Sequence, residues 1–275
     1  MKNGLLADPR LELRLGRAIL SVAVCAFGVQ FLLYGNLLPG LFLPQNWTAP
    51  GPLFARLLGA FFIGSSVSLF LPSRAALAFS IVTAVSIILV NYAHPLDVLF
   101  VGIARIRFFE PLAIAAAALV LAVAVDRDIW FGPTLDRIGR YTFAFCLLMF
   151  GLQHFLYPYD VAQRIPWVIP AHIVFVYITG AAFVAAGIAI ATGIQSKLAG
   201  EMLALMFLIF LVVLHLPDCV ADPANGLKWA SFFVARIHSH SAVIHTENRV
   251  ANQRAEVIVG AKRSKDRFPY VFFGS

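Results

Sequence analysis

The sequence predicts an all-α, polytopic transmembrane helix bundle. It predicts a duplicated four-helix unit whose last helix is degenerate or missing. Three observations carry this reading. First, of 275 residues 60% are hydrophobic and 13% charged, with a mean hydropathy of +0.84. A soluble domain carries about 25% charged residues, so too little polar surface is present to cover a water-facing globule. Second, long apolar stretches recur along the chain. Third, FGVQFLLYG at Phe27–Gly35 returns as FGLQHFLYP at Phe150–Pro158, with His154 standing where the first copy has Phe31.

A membrane helix needs about 20 mostly apolar residues, because each adds 1.5 Å toward roughly 30 Å of hydrocarbon. The expected spans are Leu15–Leu38, Leu53–Leu71, Ala75–Tyr92, Pro111–Val125, Tyr141–Tyr157, Ala171–Thr192 and Leu198–Leu216. The first is too long for a signal-peptide core and no clear cleavage site follows it, so it reads as a retained helix. Pro39, Pro44, Pro50, Gly51 and Pro52 punctuate the first loop, and Pro72-Ser73-Arg74 forms a tight turn. Asp126, Arg127, Asp128, Gly132 and Pro133 form the longest polar connector and mark the boundary between halves. Residues 1–126 then form the first unit, 127–235 the second with three clear spans and a partial fourth, and 236–275 a basic polar tail.

A forward shift of 123 positions takes Gly16-Arg17 onto Gly139-Arg140, Phe27-Gly28 onto Phe150-Gly151, Gln30 onto Gln153 and Tyr34 onto Tyr157. With small gaps, Gly59 meets Gly180 and Arg74 meets Lys197. His94-Pro95-Leu96-Asp97 meets His215-Leu216-Pro217-Asp218, and Phe108-Phe109 meets Phe232-Phe233. Four helices per unit is an even number, so both units enter the membrane from one side and a pseudo-two-fold axis along the membrane normal is expected.

With Gly139-Arg140 opening a span, Phe150-Gly151-Leu152-Gln153-His154 following, then GAAFVAAGIAIATG at Gly180–Gly193 and Lys197-Leu198-Ala199-Gly200, the unit resembles the DoxX-like (DoxX/DoxD) integral membrane proteins. The resemblance covers the chain to about Ala235 in two copies. These are four-helix units of bacteria and archaea, and some are subunits of thiosulfate:quinone oxidoreductases. The resemblance thus implies a bacterial cytoplasmic membrane and a place in membrane redox chemistry. Ala181, Ala182 and Phe183 stand where the family often has an acidic residue, so no role of that acid carries over.

Lysines and arginines set orientation. Arg10, Arg14 and Arg17, then Arg74, then Arg127, Arg137 and Arg140, then Lys197 fall on one side, expected to be cytoplasmic together with the N-terminus. The net charge of +7 is concentrated toward the chain ends and does not point to nucleic acid; the expected partners are the lipid bilayer and a redox partner subunit. Cys25, Cys146 and Cys219 are scattered, which argues against a disulfide framework or thiol-redox centre.

From Arg236 the text turns polar. Arg236, His238, His240, His245, Glu247 and Arg249 would each have to cross hydrocarbon, at about 2.5–3.5 kcal/mol for a central Arg. A soluble tail, a surface helix and a shifted reading frame all fit, and the abrupt end of the repeat favours the last. The expectation is a poorly ordered tail beside an unfilled groove. His238 and His240, two apart, share no helix face, so no metal site is expected.

Polar groups at membrane edges are the default functional candidates. His154, Tyr157 and Asp160 close one span, His172 and Tyr177 open the next, and His215 closes the last. With Trp167 they supply the donors, proton source and aromatic walls that a quinone headgroup needs. Interfacial anchoring explains the same residue types, and no other cofactor is indicated. Partner binding without chemistry, or a small-solute carrier or channel, are the alternatives. Gln30 and Gln153 read as packing groups, and Ala182/Ala186 and Gly187/Ala191 as close helix contacts.

Overall fold

The computed structural model describes residues 9–35, 51–68, 106–125 and 131–267. The expected third span Ala75–Tyr92, the Arg74 turn, the His94–Asp97 segment and most of the connector between halves lie outside them. The described residues are all-helical, with α1 Pro9–Tyr34, α2 Pro52–Ser68, α3 Ile106–Val125, α4 Gly132–Leu156 and a short α5 Pro158–Ala162. Then follow α6 His172–Thr192, α7 Ser196–Phe210, a π-helical turn Leu211–His215, α8 Leu216–Ala221 and α9 Gly226–Arg267.

Punctuation in the sequence sets these bounds. Pro133 occupies the first turn of α4 and Pro158 the first turn of α5, where a missing N–H costs nothing. Gly193 ends α6 with φ 81°, a left-handed conformation that favours glycine. The wide turn at Leu211–His215 precedes Pro217, whose ring nitrogen cannot donate to the preceding turn.

Three helices among the described residues are long and apolar enough to cross a membrane: Arg17–Tyr34, His172–Thr192 and Ser196–Ala221. Only 44%, 33% and 22% of their apolar windows are buried within the protein. Phe145, Val174, Ile178, Leu205, Ile209 and Val212 are exposed. So much exposed apolar surface suits lipid rather than water around it.

Glycines set the closest helix approaches. At the α1–α2 crossing, a Cβ on Gly28 would sit 2.7 Å from the Gly59 carbonyl oxygen, and one on Gly59 2.6 Å from that of Gly28. At the α4–α6 crossing, a Cβ on Gly151 would lie 2.8 Å from the Gly180 carbonyl oxygen, and one on Gly187 2.9 Å from that of Ala144. Gly187 and Ala186 thus pack as their spacing suggested, while Ala182 is exposed. α3 packs on α4, and α9 packs on α7, α1 and α3. Two apolar cores result. One holds Phe27, Phe31, Phe62, Ile114 and Leu121; the other holds Phe143, Phe150, Phe183, Leu203 and Phe207. α3 and α9 contribute to both.

This overturns the expected loose tail over Arg236–Thr246. The segment continues α9 as regular helix and fills the groove expected to be empty. Ile237 and Ile244 enter the first core and Ala242 the second. The cost expected of its polar residues assumed contact with hydrocarbon. Instead His238, Ser239, His240, Ser241, His245 and Thr246 are buried against protein, where intramembrane polar groups are normally found. The Ser239 hydroxyl donates to the Ala204 carbonyl at 3.0 Å, and the Ser241 hydroxyl to that of Ile237 at 2.7 Å. Gly200 lets α9 approach α7, since a Cβ there would meet the Ala242 carbonyl oxygen at 2.6 Å.

Candidate functional site

His154 lies on α4 one residue after Gln153 and faces inward, 7% exposed. Its Nδ1 is 2.7 Å from the Phe150 carbonyl oxygen one turn back. Its ring lies 5.3 Å from that of Phe183 on α6. Gly180 makes this possible: a Cβ at that position would come within 2.8 Å of the His154 Cβ. In the first half, Phe31 and Phe62 take the corresponding places, with ring centroids 5.7 Å apart.

The other expected residues do not join it. Tyr157 ends α4 in a non-helical conformation, φ −129°, so it does not continue the helix face of His154. Asp160 is exposed on α5. His172 opens α6 with Nε2 3.1 Å from the Pro166 carbonyl oxygen. Tyr177 is exposed and stacks on Phe155 at 6.0 Å and 19°. His215 ends the π-helical turn, in electrostatic range of Asp218 and Arg164. Trp167 is 88% exposed. Among the described residues, no hydrogen bond links any two of these seven. What the structure assembles at this end is an exposed aromatic rim on α4 and α6, with His154 inside the bundle.

The sequence reading missed a second set. His238 and His245 are each 2% exposed, inside the second core. Phe207 lies 5.3 Å and Phe150 5.8 Å from the His238 ring, and Phe143 stacks on His245 at 4.4 Å and 19°. Nε2 of His238 and both ring nitrogens of His245 have no hydrogen-bond partner. The signal was present in the spacing. His238 and His245 are seven apart, two helical turns, and so share a face. Extending the match of Phe108-Phe109 with Phe232-Phe233 puts His238 on Ile114 and His245 on Leu121, both core residues of the first half.

Gln30 donates from Nε2 to the Gly226 carbonyl at 2.9 Å, tying α1 to the start of α9 as expected of a packing amide. Gln153 is 1% exposed with both amide atoms unpartnered. Beside α9, a cavity of about 10 Å³ is lined by Ile19, Leu20, Ala117, Leu121, His240 and Ser241, among others. That is room for about one water molecule. Among the described residues, no three His, Cys, Asp or Glu side chains converge as a metal ion would require. Comparison with protein-family models, with curated proteins and with solved structures finds no match to this chain.

Proposed function

We propose that the chain is a multi-pass protein of a bacterial cytoplasmic membrane, built from two tandem DoxX-like four-helix units. It acts as an accessory, quinone-interacting subunit of a membrane redox system. The duplication is supported by the paired crossings. Gly28 and Gly59 take part in one and Gly151 and Gly180 in the other, and these are the glycines that the internal match aligns. Under a pseudo-two-fold relation, the α3–α4 contact corresponds to the α9–α1 contact, with α3 and α9 meeting near the axis.

The observation that carries the functional reading is the lipid-facing rim at Phe155 and Tyr177. Two stacked, exposed rings at the end of an apolar helix pair offer a quinone ring from the lipid phase a flat surface. His154 lies under that surface, next to Phe155 in sequence. Protein purified in mild detergent should retain quinone, and Tyr177→Ala should release most of it. Full retention by the variant, or no quinone in the wild type, removes the proposal.

The breadth of exposed apolar surface on α6 and α7 favours a second reading, a structural subunit that docks a membrane partner. Co-purification of one stoichiometric neighbour without quinone would select it.

A further inference from the structure

We propose that His238 and His245 form a buried proton-binding site, and that its occupancy loosens α9 from α4 and α7. This inference does not depend on the quinone reading. Three ring nitrogens of these residues face the core without a hydrogen-bond partner. A buried unpartnered polar atom is costly, and the first half avoids that cost at the matching positions with Ile114 and Leu121. The space around the rings is taken up by carbon. Phe143 covers one face of His245, and Phe150 and Phe207 flank His238. A ligand with volume would have to displace phenyl rings; a proton displaces nothing.

The step is simple. A proton from water adds to the free lone pair of an imidazole nitrogen, and the ring becomes a cation inside an apolar core. The charge that acts on His245 does not offset that cation. From α4, Arg140 is in electrostatic range of His245 and would repel it. Asp136 lies about one turn before Arg140 and has an interaction partner of its own; Cys146 is buried in the same core. His154 on α4 is bonded to its own helix. From α3, the Glu110 backbone faces His238. From α7, Lys197 and Glu201 form an exposed pair. On α9, Arg236 and His240 flank the site. A charge with no counter-ion is relieved by admitting water, which requires α9 to separate from Phe143, Phe150 and Phe207.

The test uses the full chain in lipid nanodiscs. The double variant His238→Ile, His245→Leu copies the first half and keeps every other histidine. From pH 7 to pH 5, as the unfolded chain takes up protons that the packed rings lack, the wild-type thermal midpoint should fall, while that of the double variant falls less and lies above it. Parallel curves overturn the proposal. Whether or not the double variant folds, nitrogen-15 spectra of folded, histidine-labelled wild type then decide, because exposure of two neutral rings on unfolding lowers the midpoint even when the folded form binds no proton. Two imidazoles that become cations over the range in which the midpoint falls support the site. Rings that stay neutral to pH 5 while the midpoint falls overturn it.

Discussion

At the scale of single residues, the proposed duplication puts His154 and Phe31 at equivalent positions, and their packing is alike. Each ring lies against a phenylalanine of the neighbouring helix, Phe183 for one and Phe62 for the other. His154→Phe should therefore shift stability by less than about 1.5 kcal/mol, as volume-tolerant core swaps do. Any accompanying loss of bound quinone would then report chemistry rather than folding. Thermal unfolding and quinone content measured on the same preparation separate the two. Glycines give a sharper packing test. Gly180→Ala puts a methyl within 2.8 Å of the His154 Cβ, and overpacking of this kind costs about 1–3 kcal/mol. Gly64→Ala adds the same methyl to α2 where nothing lies within 4 Å. It should raise stability by up to about 1 kcal/mol through helix propensity alone. Equal midpoints for the two variants would mean that the α4–α6 crossing is not as close as drawn.

At the scale of helices, hydrophobic runs and proline–glycine punctuation were enough to find α1, α2, α3, α4, α6 and α7, but α4 begins nine residues, α1 six and α3 five before the expected spans, where polar residues extend the helix beyond the apolar run. Their apolar faces announce themselves whether lipid or protein covers them. α9 was not legible in that way. Its polar residues were weighed against hydrocarbon, whereas the structure sets them against protein, and only the neighbouring helices reveal that difference. The candidate site suffered from a related limit. His154, Tyr157, His172, Tyr177 and His215 cluster in sequence at helix ends, but whether a side chain points inward depends on the crossing at Gly151 and Gly180. His238 and His245 needed a comparison seven residues apart, and the His238–His240 spacing drew attention away from it. The α9 packing can be tested through Gly200. Gly200→Val in the full chain collides with Ala242 and Thr246 and should cost about 1–3 kcal/mol. In a chain ending at Ala235, the same substitution should cost nothing further. That truncation should itself lower the thermal midpoint sharply, because Ile237, Ala242 and Ile244 leave both cores. An equal cost of Gly200→Val in both chains would detach α9 from α7.

At the scale of the whole molecule, the path of α9 bears on the proposed topology. Seven crossings would leave the residues after Arg236 on the side opposite the N-terminus. α9 begins beside the C-terminal end of α1, where Tyr34 Oη donates to the Ala224 carbonyl at 3.2 Å and Gln30 donates to Gly226. It then runs back past Phe150 and Phe143 toward the N-terminal part of α4, where Arg140 is in electrostatic range of His245. Its 42 residues span about 63 Å at 1.5 Å each, more than twice the hydrocarbon thickness of about 30 Å. A helix of that length is long enough to reach the far side of a bilayer. Beyond Thr246 it carries Arg249, Arg254, Lys262, Arg263, Lys265 and Arg267 against Glu247, Glu256 and Asp266. Under the proposed two-unit topology, in which α9 crosses, that cationic excess would share a side with Arg10, Arg14 and Arg17, in agreement with the positive-inside tendency. Reporter fusions check this directly. Fusions at the C-terminus and at Arg137 should both report the cytoplasm, and fusions at Pro44 and Lys228 the opposite side. A C-terminal fusion that reports the same side as Lys228 would mean that α9 does not cross, and would remove both its place in the bundle and the buried histidines that depend on it.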